Sequence, residues 1–159
     1  MKKDVVAVAK KELEKTPIGP FFKAAGVIFI DRKNKEKAIA AMKPAVDTLK
    51  SGTSVAIAPE GTRSHDYNLG SFKKGAFHLA MQAEVPVVPL VIKNAHDIMA
   101  RGSAMIQPGQ VEVVILPPIS TDGWTKRNMD KKIEAIRNLY LKELGQEVKS
   151  LPKPKSNTK

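Results

Sequence analysis

Short apolar, β-branched runs alternate along this chain with segments whose apolar residues recur at helical spacing. The strand-like runs cover residues 4–9, 27–31, 54–58, 85–92 and 110–116. Between or after them lie the helical patterns: one or two turns at 10–17 and longer helices at 34–50, 76–84 and about 126–145. Strands that alternate with helices predict an α/β fold, with a mostly parallel sheet covered by helices on both faces. In the last helix we expect Lys132, Arg137 and Lys142 to face water.

Length and charge limit the class of protein and of partner. The 159 residues suit one domain, which we assign to residues 1–145, followed by a basic tail at 146–159 with the composition of a disordered end. The net charge of +11 points to an anionic partner: nucleic acid, a phospholipid surface or a phosphorylated small molecule. Aromatic residues make up only 5%, which disfavours stacking on single-stranded nucleic acid. No apolar run reaches the ~20 residues of a membrane-spanning helix.

Two polar clusters follow strand-like runs, "DR" at 31–32 and "PEGTR" at 59–63. In open α/β sheets ligands bind beyond the carboxyl ends of the strands, so Arg32 and Arg63 are expected near one rim. The guanidinium of Arg63 presents a fork of donors that fits phosphate or carboxylate. Gly61 permits a close backbone approach, Thr62 adds a hydroxyl, and Lys73 and Lys74 add positive charge nearby.

The sequence indicates the roles of Glu60 and of the three histidines less specifically than that of Arg63. Glu60 cannot bind an anion, so we expect it to orient an arginine or to brace the turn through backbone amides. An ordinary surface Glu–Arg pair is an equally good interpretation. His65 precedes Asp66 in a loop, His78 lies in a helix, and His96 is expected in a loop. The three histidines have no metal-ligand spacing, so no metal is predicted.

Four motifs together resemble a known family. They are "GVIFIDR" (26–32), "APEGTRS" (58–64), "FKKGAF" (72–77) and "VPVVPL" (85–90). In order and spacing they are similar to the glycerolipid acyltransferases, in particular the 1-acylglycerol-3-phosphate (lysophosphatidic acid) acyltransferases, over roughly residues 5–120. The resemblance implies transfer of an acyl group to the free hydroxyl of 1-acylglycerol-3-phosphate in phospholipid synthesis. The acyl donor would be acyl-CoA or acyl carrier protein, with no further cofactor and no nucleic acid partner. It also implies a peripheral location at an anionic membrane surface, on the cytoplasmic side.

The resemblance also assigns roles to residues. The residues that would bind the substrate phosphate are Arg32, Glu60, Gly61, Thr62 and Arg63, with Lys73 as a helper. Pro86 and Pro89 would shape the wall along the acyl chain.

The catalytic motif of that family, a histidine followed after four residues by an aspartate, does not occur in this sequence. The residues at the fifth position after the three histidines are Gly70, Ala83 and Arg101. Three explanations fit this difference: a fragment, a non-catalytic relative, or a chain whose base comes from another chain. We expect a fragment that lacks the N-terminal catalytic segment, keeps the phosphate-binding motifs and is inactive alone. The alternative function is a non-catalytic basic module that binds anionic lipid or nucleic acid.

Overall fold

The computed structural model describes residues 4–30, 44–62, 67–98 and 107–147. Its strands are β1 (Val5–Lys10), β2 (Ile28–Ile30), β3 (Ser54–Ala56), β4 (Leu90–Ile92) and β5 (Val113–Ile115). Its helices are α1 (Gly19–Ala24), α2 (Gly75–Ala83), α3 (Ala95–Ile98) and α4 (Met129–Glu143). A 3₁₀ turn spans Lys11–Lys15, and residues 44–50 are helical. The first part of the helix predicted at 34–50 lies outside the described residues.

The three N-terminal strands form the predicted parallel sheet. Its order is β2-β1-β3, with Val8 opposite Ile28 on one side and Val6 opposite Val55 on the other. Because both outer strands run parallel to β1, the carboxyl ends of β2 and β3 lie at the same edge of the sheet. They are separated sideways by one strand, about 10 Å at the usual spacing, and β3 ends opposite Ala7, three positions before Lys10, where β2 ends. This is the edge at which the sequence predicted a ligand site.

β4 and β5 pair antiparallel in a separate two-stranded sheet, with Leu90 opposite Ile115. An isolated antiparallel bridge between Val87 and Ile119 continues the pairing. Pro86 and Pro89 precede the β4 ladder, so neither proline has to donate a ladder hydrogen bond. The α/β class is therefore confirmed, and the parallel arrangement holds for β1, β2 and β3 among the described strands.

A hydrophobic core lies between α2, α4 and the segment that precedes α4. Its buried members are Phe77, Trp124, Met129, Ile133 and Ile136. The three α4 residues recur at intervals of four and three, which places them on one face of the helix. Phe72 packs against this core, with its ring 6.2 Å from Phe77 and 5.1 Å from Tyr140. The chain just after the "PEGTR" motif is thereby anchored to the core.

Two short helices are absent from the sequence prediction. α1 begins at Gly19, and Pro20 occupies its first turn, where the missing N–H of proline costs nothing. Gly19 packs against the Glu14 carbonyl so closely that no side chain would fit. The sequence showed these glycine and proline residues only as interruptions of an apolar stretch. α3 contains His96, which was expected in a loop.

Candidate active site

The turn after β3 carries the first part of the "PEGTR" motif. Gly61 has φ +73°, a left-handed conformation that glycine adopts at little cost, and its N–H donates to the Ala58 carbonyl at 3.1 Å. Glu60 is half-buried, and its Oε2 accepts a hydrogen bond from the Gly70 N–H at 2.8 Å. Of the two tasks expected for Glu60, the structure shows the bracing of the turn through a backbone amide.

A second contact joins the same turn to the loop that follows it. The Lys73 N–H donates to the Pro59 carbonyl at 2.7 Å. Together with the Glu60–Gly70 bond, this contact holds residues 70–73 beside the 59–62 turn. Lys73 is thus brought next to the motif by its backbone, and its side chain is exposed.

The two adjacent lysines have different surroundings. Lys74 Nζ contacts both carboxylate oxygens of Asp130 on α4, at 2.7 and 2.9 Å. Both side chains are more than half exposed, so this pair adds little stability. Lys73 forms no ion pair within the described residues. Among the described residues, the charge of Lys73 is therefore unpaired, whereas that of Lys74 is paired.

Arg137 was expected to face water, and that expectation is wrong. The side chain is only 19% exposed, and it donates from Nε to the Gly70 carbonyl and from Nη2 to the Leu69 carbonyl, both at 2.9 Å. A signal for this was present in the sequence. Arg137 follows Ile133 by four residues and precedes Tyr140 by three, which places it along the apolar stripe of α4.

Gln146 holds the same loop further towards its start. Its Oε1 accepts from the Leu69 N–H at 2.9 Å, and its Nε2 donates to the Tyr67 carbonyl at 2.6 Å. Gln146 is the first residue of the predicted tail, so ordered structure extends at least to this position. Most of that tail, residues 148–159, lies outside the described residues.

Tyr67 fastens the start of the loop to α3. Its hydroxyl donates to Asp97 Oδ1 at 2.9 Å, and its ring centroid lies 4.5 Å from that of His96. The hydrogen bond to the Asp97 carboxylate raises the pKa of the Tyr67 hydroxyl. The ring of His96 therefore packs against an aromatic neighbour, and it is not part of a histidine–aspartate dyad within the chain's described ranges.

The remaining predicted site residues have mixed outcomes. Arg32, Arg63, His65 and Asp66 lie outside the described residues, so their convergence stays a prediction. Thr62 is exposed at the end of the turn, and His78 is half-buried on α2, as expected for a packed residue. Pro89 is fully buried and Pro86 is exposed, so the two prolines lie in different environments and their acyl-chain role also stays a prediction.

A depression of about 210 Å³ lies between the loop and α4, lined in part by Ser71, Phe72, Ile133 and Arg137. Ligand sites for molecules of drug size usually measure ~300–1,000 Å³, so this depression is too small for an acylated substrate. No group of three metal-ligating side chains occurs in the described part of the chain. Among the same residues, no helix has both the length and the apolar character needed to cross a bilayer.

Beyond the end of β3, the described residues thus bring together the Gly61 turn, the Glu60 carboxylate bonded to the Gly70 N–H, and the exposed side chain of Lys73. The sequence model of the acyltransferase family matches residues 1–93, and the chain belongs to this family.

The relatives agree with the resemblance seen in the motifs. A protein of Limnanthes douglasii named 1-acyl-sn-glycerol-3-phosphate acyltransferase is 39% identical over 148 residues, covering 92% of this chain and 53% of the relative. The alpha form from Homo sapiens is 41% identical over 118 residues, covering 74% and 42%. The crystal structure of the 1-acyl-sn-glycerophosphate acyltransferase PlsC from Thermotoga maritima superposes with a TM-score of 0.69 at 25% identity, covering 94% of this chain and 69% of that one. The chain spans about half the length of the curated relatives it matches.

Proposed function

We propose that this chain provides the substrate-phosphate side of a 1-acylglycerol-3-phosphate acyltransferase. The observation that carries the proposal is the pair of contacts from Glu60 to Gly70 and from Lys73 to Pro59. They hold an exposed lysine, which has no ion pair in the described part of the chain, beside the "EGT" turn and beyond the carboxyl end of a parallel strand. The substrate class comes from the relatives, which are named 1-acyl-sn-glycerol-3-phosphate acyltransferases.

In the proposed reaction, the free hydroxyl of 1-acylglycerol-3-phosphate attacks the thioester carbonyl of acyl-CoA or acyl carrier protein. A C–O ester bond forms, the C–S bond breaks, and the hydroxyl proton ends on the released thiol. Arg63 and Arg32 would bind the phosphate through paired N–H donors, and Lys73 would add a point charge. Glu60 would keep the turn in shape, since its Oε2 is already bonded to Gly70.

Lysophosphatidic acid binding tests the phosphate site. A short-chain form, kept below its micelle concentration, is titrated against Arg63→Ala, Lys73→Ala and the control Arg127→Ala, at low and high salt. Arg127 is exposed and has no hydrogen bond or ion pair to a described residue. The substitution Arg127→Ala therefore removes one positive charge, as Arg63→Ala does, but at a position outside the proposed site. Charged hydrogen bonds contribute ~1.5–3 kcal/mol, so Arg63→Ala should weaken binding by about tenfold to a hundredfold.

The salt dependence separates the two candidate functions. A loss specific to Arg63→Ala that persists in high salt supports the phosphate site. Equal losses for Arg63→Ala, Arg127→Ala and a tail variant such as Lys155→Ala, all vanishing with salt, would instead favour the basic binding module. Solvated charges behave in this way because screening acts over ~8 Å at physiological ionic strength.

Acyl transfer by the 159-residue chain alone should be weak or absent with either acyl-CoA or acyl carrier protein. General acid–base assistance contributes ~10²–10⁴-fold, and the printed sequence contains no histidine–x4–aspartate motif to supply it. Product formation is measured with purified chain, lysophosphatidic acid and each donor in turn. Robust turnover would refute this part of the proposal, and His65→Ala would then be the next variant.

We further propose that the protein works as a peripheral protein at an anionic membrane surface. Its net charge of +11 supports this, as do Ile18 and Phe21, which are 54% and 72% exposed at α1; the nearby Lys23 is paired with Glu14 at 2.9 Å and is not counted in its favour. Exposed apolar side chains suit the interface of a bilayer, and the net positive charge favours an anionic one. Sedimentation with phosphatidylcholine vesicles, with and without phosphatidylglycerol, should show binding only to the anionic ones. Phe21→Ser should reduce it more than Leu139→Ser, a 40% exposed control on α4; equal effects would contradict the assignment of α1.

A further inference from the structure

The loop of residues 67–73 begins four positions after the "PEGTR" motif, but the side chains that bond to its backbone come mostly from the far end of the chain. Arg137 and Gln146 make four hydrogen bonds to its backbone, across 67 to 79 positions of sequence. Both residues lie beyond residue 93, where the match to the acyltransferase family model ends. The part of the chain outside that match therefore contacts the segment next to the motif.

Gly70 is held from both sides. Its N–H donates to Glu60 Oε2 at 2.8 Å, and its carbonyl accepts from Arg137 Nε at 2.9 Å. A single residue thus links the carboxylate of the motif to a guanidinium on α4. The Leu69 carbonyl, which accepts from Arg137 Nη2, lies in the same planar peptide unit as the Gly70 N–H, so a shift of Arg137 that moves this peptide also moves the donor that fixes Glu60.

The bonding of Arg137 is directed at the loop backbone. Its carboxylate neighbour on the same helix, Glu134, lies 4.0 Å from Nη1, which is longer than a charged hydrogen bond. Two of the guanidinium nitrogens point instead at adjacent carbonyl oxygens, those of Leu69 and Gly70. This is the planar, two-point recognition for which arginine is suited and a single ammonium group is not.

We propose that Arg137 and Gln146 are positioning residues for the phosphate site: they hold the 67–73 loop so that Glu60 keeps the motif turn in place and Lys73 stays beside it. The inference rests on the proposed function, because it assigns a purpose to the geometry of that same site. A general role in stability is the competing explanation, and it predicts no specific change in ligand affinity.

The affinity of the 159-residue chain for short-chain lysophosphatidic acid distinguishes the positioning role from a general role in stability. Arg137→Met and Gln146→Ala are compared with the matched controls Arg127→Met and Gln82→Ala, which change exposed residues with no described partner. We expect Arg137→Met to weaken binding at least fivefold, Gln146→Ala at least twofold, and neither control by more than twofold. Arg137→Lys, which can reach one carbonyl, should recover part of the affinity. Equal losses in variants and controls, or wild-type affinity in Arg137→Met and Gln146→Ala, would overturn the inference.

Amide hydrogen exchange of the ligand-free chain gives a second readout that does not depend on the substrate. In Arg137→Met the amides of Leu69 and Gly70 should exchange about tenfold faster, while those in the middle of α2 keep their wild-type rates. Faster exchange everywhere would indicate lost stability only and would count against positioning. If Arg137→Met fails to fold, Arg137→Lys and Gln146→Ala provide the same comparison.

Ligand affinity and amide exchange together distinguish a failure of the proposed function from a failure of the positioning role. A wild-type chain that does not bind lysophosphatidic acid refutes the proposed function, and the exchange rates then decide the bracing alone. A wild-type chain that binds, with variants that bind equally well, refutes the positioning role and leaves the proposed function standing.

Discussion

Gly70→Ala probes the link between the loop and the motif by adding a single methyl group. A Cβ at this position would lie 2.8 Å from Glu60 Oε2, closer than a carbon and an oxygen atom approach in folded proteins. Gly70 is not among the glycines with positive φ, so its backbone conformation accepts alanine without strain. The effect of the substitution should therefore come from the carboxylate, which must move away, and we expect this shift to break its bond to the Gly70 N–H.

The expected magnitude follows from two opposing terms. Losing a hydrogen bond to a charged acceptor costs ~1.5–3 kcal/mol when the partner is left without a replacement. Alanine also restricts the unfolded chain, which stabilises the protein by ~0.4–1 kcal/mol. The free energy of unfolding should fall by about 1–2 kcal/mol, which is a substantial part of the ~5–15 kcal/mol of a typical domain.

Urea unfolding measures this change, with fluorescence of the single tryptophan as the probe. Trp124 is 7% exposed and belongs to the core that α4 forms, so its emission reports loss of that packing. The control is the same substitution in a Glu60→Ala background, where the colliding carboxylate is gone. There Gly70→Ala should be neutral or slightly stabilising. Equal destabilisation in both backgrounds would refute the argument, since the collision would then not involve Glu60.

Three other changes have expected outcomes of their own. Gly61→Ala should lower the free energy of unfolding by ~1–2 kcal/mol, because φ is +73° there; an unchanged urea midpoint would contradict this. Ile136→Ala removes a side chain that is 3% exposed and should cost ~2–5 kcal/mol in the same assay, whereas a loss below 1 kcal/mol would mean that the core collapses around the gap. Burial raises the pKa of the Tyr140 hydroxyl, partly offset by the hydrogen bond from the Leu90 N–H. The folded protein therefore loses free energy of unfolding as the pH rises from the unfolded pKa of ~10 through the higher folded pKa. Above about pH 10 the wild type should become less stable relative to Tyr140→Phe. Parallel stability profiles of the two proteins against pH would argue against this.

Local pattern was enough to predict most of the elements. The β-branched runs at 54–58 and 27–31 contain β3 and β2, and the apolar spacing at 126–145 contains α4. Strands and helices each have a characteristic spacing of apolar residues along the sequence, so they can be predicted without knowing what packs against them. The glycine of the "PEGTR" motif likewise anticipated a backbone turn, and Gly61 has the left-handed conformation.

Tertiary structure alone decided which residues hold the site. The sequence placed Arg137 in water because charged residues on helices usually lie there, yet it bonds to carbonyl oxygens 67 and 68 positions earlier in the chain. The antiparallel direction of β4 and β5 was also decided at this level, since a strand has the same side-chain period in either direction. The spacing along α4 shows that Arg137 lies on the apolar stripe, but which carbonyl oxygens it bonds to depends on how the helix and a distant loop are brought together, and neighbouring residues do not determine that.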